Sequence, residues 1–163
     1  MDLEKIALSV AEARIRREYR PVVVGIIIDL SGRMLFVNSA KNENDWGMLQ
    51  GGIEDNEDAR TALFREIEEE LDVSLSECAT LSYLGWEDMD AEPGRSDKRG
   101  WSKGKRYFFF SLILQKDSQF EPHPSEIARI VWAESENAAT VMQTTRQEKR
   151  ELLLRFIARA VGK

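Results

Sequence analysis

The sequence holds one cysteine, Cys78, and one histidine, His123. A lone cysteine excludes an intrachain disulfide and suits a reducing compartment. A lone histidine leaves no partner for a His–Cys zinc site and argues against a serine- or cysteine-based triad. Cys78 is read as catalytically inert and His123 as a surface-loop residue. Long apolar runs are also missing. The longest, VVVGIII, has seven residues, against the ~20 that a membrane span requires. The opening stretch MDLEKIALSV carries acidic residues and no apolar core of the secretory kind. The expected location is therefore the cytoplasm, with no membrane partner. Positive charge is not in excess either: the net charge is −6. That disfavours general adhesion to nucleic acid or anionic lipid, although a local basic patch remains compatible with it. If the protein is an enzyme, these absences leave carboxylates and a bound metal to do the chemistry.

With 163 residues, the chain is expected to form one domain over 1–163 with a sizeable core of its own. Apolar residues recurring near helical spacing predict a helix over 2–18, from which Ile15 falls off the apolar face. The continuous β-branched run at 22–30 predicts a strand covered on both faces. The turn SGR and a second strand at 34–38 complete a hairpin. SAKNENDWG reads as a polar loop and MLQGGI as a short extended piece entering a glycine turn. A helix is predicted over 57–71, capped by Asp55 or Asn56. Strands are predicted at 78–88, 106–115 and 126–134, and an amphipathic helix closes the chain at 147–161. Tyr107 to Phe110 and Trp132 are read as core. Mixed strands and helices in this order predict an α/β (α+β) sandwich, not a βαβ array.

The predicted helix over 57–71 carries four glutamates between positions 66 and 70. On a helical wheel Glu66, Glu69 and Glu70 fall within an arc of roughly 100°. Such like charges at i, i+4 repel. Ala59 and Ala62 share their side and are expected to leave room above the backbone, while Leu63, Phe64, Ile67 and Leu71 form the packing face. Carboxylate oxygens are the ligands that hard divalent cations prefer, and a bound cation turns this repulsion into attraction.

The stretch GGIEDNEDARTALFREIEEELDV resembles the Nudix box: a glycine, five residues, a glutamate, seven residues, then Arg-Glu-apolar-x-Glu-Glu-x-Gly-apolar. Gly51, Glu57, Arg65, Glu66, Ile67, Glu69, Glu70 and Val73 stand at the matching positions. Asp72 stands where the pattern has a glycine that ends the helix in a left-handed conformation. The segments YRPVVVGIII, WGMLQGGI, GKRYFFFSLIL and EIARIVWAE are similar to those of bacterial RNA pyrophosphohydrolases and diadenosine polyphosphate hydrolases. Gly47-Met48-Leu49 replaces their Phe-Pro-containing piece, and the helix at 2–18 has no counterpart there.

This resemblance implies a Nudix-type α/β/α sandwich with a mixed β-sheet. It implies that Glu66, Glu69 and Glu70 bind Mg²⁺ or Mn²⁺, joined by the Gln50 carbonyl and by Glu126. Gly51 and Gly52 would shape the turn, and Glu57 and Arg65 would pair to hold it against the helix. Glu66 or Glu69 would take the proton of the attacking water. Substrate phosphates and bases are expected to meet a cluster of Arg95, Lys98, Arg99, Trp101, Lys103, Lys105 and Arg106, together with Arg20, Lys41 and Arg146.

The implied reaction is metal-dependent cleavage of a pyrophosphate linkage in a nucleoside-diphosphate-linked substrate. The expected substrates are RNA 5′-triphosphate ends or dinucleoside polyphosphates. Two alternatives stand beside it: hydrolysis of free nucleotides such as nucleoside triphosphates or ADP-ribose, and a sensor that binds nucleotide without cleaving it.

Overall fold

The β-branched run that begins at Val22 lies at the centre of a mixed sheet. The computed structural model describes residues 2–94 and 100–162. Strand β1 (Tyr19–Ile28) pairs along its whole length with β6 (Gly104–Leu114), in parallel. On its other edge it pairs antiparallel with β4 (Leu49–Gly52) over Val22–Gly25 and with β2 (Met34–Ser39) at Ile28. β5 (Ala79–Asp90) lies beyond β6, antiparallel to it.

β2 parts from β1 after Met34. From there it pairs with β3 (Trp46–Gly47) on one edge and with β7 (Ile127–Ala133) on the other. The sheet therefore opens between the β1–β4 pair and the β2–β7 pair. The stretch expected to be a polar loop contributes β3, a strand too short to show any alternation.

Side chains alternate across β1 with a period of two. Val23 and Ile27 join one core, with Ile6 and Val10 of helix α1 (Leu3–Arg16) and Leu63, Ile67 and Leu71 of helix α2 (Ala59–Leu71). Val22, Val24, Ile26 and Ile28 join the other, with Leu152, Leu153, Phe156 and Ile157 of helix α4 (Gln147–Ala160). A short helix α3 (Ala138–Val141) precedes α4. The layers are helix, mixed sheet, helix. Gly25 faces α2, where an added methyl would lie 3.0 Å from the Leu63 side chain. Phe109 stacks on Phe156 at 3.7 Å and 8° between planes, which fixes α4 against β6.

The helix over 57–71 begins two residues later than predicted, and neither Asp55 nor Asn56 caps it. Asp58 does, accepting from the Thr61 amide at 2.8 Å. At the other end Asp72 adopts the left-handed conformation (φ 51°, ψ 44°), and its amide donates to Glu68 O at 3.1 Å. α1 ends in the same way at Arg17 (φ 58°). Ile15 is 82% exposed, as its place off the apolar face predicts. Among the described residues, no helix is long and apolar enough to cross a membrane.

Candidate active site

Strand β4 delivers Gln50, Gly51 and Gly52 to the first turns of α2, where Arg65 is the central group. Arg65 Nε and Nη2 donate to the two Glu57 carboxylate oxygens at 3.0 and 2.5 Å, and Nη2 also donates to Gly52 O at 2.9 Å. These bonds tie the loop to the helix. The Glu57 carboxylate also accepts from the Glu54 amide at 2.9 Å. Its hydrogen bonds with Arg65 hold Glu57 below the usual carboxylate range, and the same pairing raises Arg65. From the far side, Arg14 of α1 donates to Glu54 O, with Glu57 O at 3.5 Å. The N-terminal helix therefore backs the turn directly.

Glu66 lies over Gly51 so closely that an added methyl would meet its carboxyl carbon at 2.0 Å. Arg65 Nη1 donates to Glu66 at 2.8 Å and to Glu69 at 3.1 Å. Burial pushes the Glu66 carboxyl up. Glu70 is pushed up to about 8, first by burial and then by the negative charges of Glu66 and Glu126. Glu69 points outward, its side chain 57% exposed. Ala59 and Ala62, expected to leave open space beneath the glutamates, are buried in the α2 core beside Leu63. The room comes instead from Gly51, across from the helix.

Glu70 and Glu126 line a cavity of about 130 Å³ at the opening of the sheet, together with Gln50, Ser39 and Gly47. Glu126 sits just before β7, at the end of a turn in which the His123 carbonyl accepts from the Glu126 and Ile127 amides at 3.0 and 2.9 Å. His123 is exposed, its ring nitrogen 2.7 Å from Ser125 Oγ.

As the side chains stand, no three of the described His, Cys, Asp and Glu residues converge as metal ligands do. Arg65 draws the Glu66 and Glu69 carboxylates toward itself. The donors nevertheless suit a hard divalent cation: carboxylates and a neighbouring carbonyl, all oxygen. Burial and then the negative charges of Glu66 and Glu126 raise Glu70, and a divalent cation would offset those charges.

Among the described residues, none of the expected substrate cations lines this cavity. Arg95, Lys98 and Arg99 lie outside the described residues. Arg17 covers Trp101 at 4.8 Å, and Lys103 pairs with Glu18 at 3.5 Å. Arg106 is not a loop cation at all. It is 5% exposed, bonded to Asp88 and Ser9 and stacked 4.2 Å over Trp86. Arg20 and Lys105 are register partners on β1 and β6, and Lys41 is exposed in the loop after β2.

Arg146 lines a second, larger groove of about 750 Å³ between the end of β5 and α4. It donates to Asp90 O at 2.9 Å and pairs with Glu148 at 3.3 Å. Six carboxylates and two arginines, Arg146 and Arg155, line that groove, so it is acidic on balance. Lys149 and Asp45 line the small cavity, and sequence reasoning missed both. They stand 104 positions apart, and neither belongs to a motif.

A NUDIX domain matches the chain over residues 18–156. The RNA pyrophosphohydrolase of Teredinibacter turnerae is 36% identical over 69 residues, which cover 42% of this chain and 40% of that protein. The chain thus spans about two-fifths of that relative's length. Nudix hydrolase 25 of Arabidopsis thaliana is 32% identical over 131 residues, covering 72% of this chain and 74% of its own. The fold is shared with the E. coli dihydroneopterin triphosphate pyrophosphohydrolase (TM-score 0.67, 19% identity, 87% of this chain and 99% of that one). It is also shared with a C. elegans Ap4A hydrolase (TM-score 0.64, 20% identity, 88% and 99%). With the box residues in place and a match that runs from β1 into α4, the chain belongs to the Nudix hydrolase family.

Proposed function

We propose that the protein is a metal-dependent pyrophosphohydrolase acting on RNA 5′-triphosphate ends or on dinucleoside polyphosphates. One observation carries this reading: Glu70 and Glu126 line one cavity beside Gln50, and burial, together with the negative charges of Glu66 and Glu126, drives Glu70 up to about 8. Glu66, Glu69, Glu70, Glu126 and the Gln50 carbonyl would hold the ions, with Glu66 and Glu69 turned from their present bonds to Arg65. Mg²⁺ or Mn²⁺ bound there would neutralise phosphate oxygens and activate water. Glu66 or Glu69 takes the proton of the attacking water. Gly51 and Gly52 let the loop approach α2, and the Glu57–Arg65 pair holds that approach. Arg20, Lys41, Trp101, Lys103, Lys105 and Arg146 are the proposed contacts for the remainder of a long anionic substrate. The names of the relatives, RNA pyrophosphohydrolase and Ap4A hydrolase, support the substrate class.

One observation favours a second reading, hydrolysis of free nucleotides. Trp101 and Lys103 are already engaged by Arg17 and Glu18, so the surface offers less than expected to a long substrate. A panel assay in Mg²⁺ or Mn²⁺ separates the two. Triphosphorylated RNA, dinucleoside polyphosphates, nucleoside triphosphates and ADP-ribose are compared by kcat/KM. Turnover should be highest on one of the first two, and Glu69→Gln should abolish it without unfolding the protein. No turnover of any substrate, or a fully active Glu69→Gln protein, refutes the assignment.

A further inference from the structure

Among the described residues that line the cavity at the opening of the sheet, Lys149 is the only cationic one. Its Nζ donates to both Asp45 carboxylate oxygens, at 2.9 and 3.0 Å, and its side chain is only 17% exposed. The same cavity is lined by Gln50, Glu70 and Glu126. We infer that Lys149 is the residue that grips a substrate phosphate in this cavity, with Asp45 as the group that aims it.

An ammonium has three N–H donors. Asp45 takes two of them, which leaves one for an anion. Both ends of the pair are fixed. The Asp45 amide donates to Asn42 O at 2.9 Å, and its carbonyl accepts from the Ser39 amide at 2.9 Å and from Asn38 Nδ2 at 3.2 Å. Just before α4, Thr145 Oγ1 accepts from the Trp46 amide at 3.0 Å and donates to Trp46 O at 2.7 Å. The start of α4 is thereby tied to β3, the strand that Asp45 precedes. An added methyl at Gly47 would meet Lys149 Cε at 3.6 Å and Leu153 Cδ1 at 3.2 Å. The lysine stem thus runs alongside Gly47. Lys149 on one side, and a metal held by the carboxylates on the other, would present positive charge to both sides of a phosphate. Phosphoryl oxygens bridging a metal and a lysine are a recurring use of such geometry.

The inference rests on the proposed reaction class, so its test reads binding instead of turnover. Inorganic pyrophosphate is titrated into the full chain in Mg²⁺ buffer, and the ligand-induced rise in melting temperature is recorded for wild type, Lys149→Met and Asp45→Asn. Both substitutions break the ion pair, but only the first removes the cation. Pyrophosphate should bind Lys149→Met about 10- to 100-fold more weakly, the scale of one charge-assisted hydrogen bond. Asp45→Asn, which keeps the cation but loosens its aim, should lose affinity too, but less than Lys149→Met does. Lys149→Arg should recover part of the loss.

If Lys149→Met binds as wild type does, or if both variants lose affinity alike, the pair is only a tie between α4 and β3 and the inference is wrong. Should Lys149→Met not fold, Lys149→Gln replaces it with the same outcomes. Failure of the substrate panel with pyrophosphate binding intact would overturn the proposed reaction and leave Lys149 standing.

Discussion

Gly51 faces the carboxyl group of Glu66 at a distance no side chain can occupy: an added methyl would lie 2.0 Å from Cδ, 2.3 Å from Cγ and 2.4 Å from Oε1. The obstructing atoms belong to the end of a flexible side chain, so Gly51→Ala should displace Glu66 without breaking the fold. Moving a reacting group by about 1 Å costs on the order of 10²-fold in rate. Gly51→Ala should therefore lower kcat by about that factor and shift the melting temperature by only a few degrees. Near-wild-type kcat would show that the position of Glu66 is immaterial.

Arg65 spends its guanidinium on five acceptor contacts: two with Glu57 and one each with Gly52 O, Glu66 and Glu69. Lysine carries a point charge and cannot reproduce the fork. Arg65→Lys should cost about 1.5–3 kcal/mol of stability, the range for hydrogen bonds to charged groups. It should also lower kcat more than it raises KM, because the loss falls on ligand geometry. Denaturant unfolding combined with a kcat and KM split checks both parts. A variant with unchanged stability would mean that the turn is held by Arg14 and backbone bonds alone.

Much of this arrangement was legible in the sequence, and the parts that were not have physical reasons. VVVGIII announced a strand covered on both faces, because both parities of β1 are apolar. The spacing from Gly51 to Val73 located the turn, the helix and its glutamates. The cap was misplaced because Asp55, Asn56 and Asp58 are all competent capping residues, and only the tertiary position of the loop selects Asp58. Trp46–Gly47 offered no period to detect. Ala59 and Ala62 lie near the glutamates on the wheel, yet they turn to the core, because a narrow helix packed against a sheet buries its small residues as well as its large ones. Lys149 and Asp45 meet only through the packing of α4, across a separation that no local pattern encodes. Trp101 and Lys103 read as part of a free patch because their partners, Arg17 and Glu18, lie more than eighty positions away in sequence.

Asp72 marks the one departure from the family pattern within the box, and its backbone is left-handed at φ 51°. Glycine adopts that conformation without the steric cost an L-residue carries. Asp72→Gly should therefore stabilise the protein by about 0.5–1 kcal/mol, or roughly 1–4 °C in melting temperature for a chain of this size. Turnover should be little changed, since Asp72 lies outside the cavity. Destabilisation would show that the aspartate side chain contributes more than its backbone costs.

Glu70 gives the metal reading a signature in pH. Its folded-state value, about 8, is raised above the 4.5 of an ordinary glutamate. Between those values the folded protein holds a proton that the unfolded chain has released, so stability falls as pH rises through that window. The contribution is fully present below about pH 4.5 and is lost by about pH 8. In chelator, wild type should therefore lose stability from pH 5 to 8 more steeply than Glu70→Gln, which cannot ionise. Glu57 and Asp58, held low, titrate below that range in both proteins and cancel in the comparison, whereas Glu66, also raised by burial, leaves a shallower slope in Glu70→Gln. A divalent cation must displace the proton in order to bind, so Mn²⁺ binding near pH 7 should release close to one proton and restore the stability. Calorimetric titration in two buffers of different ionisation enthalpy counts that proton. If wild type releases no more than Glu70→Gln does, the carboxylates around Gln50 are not where the cation sits.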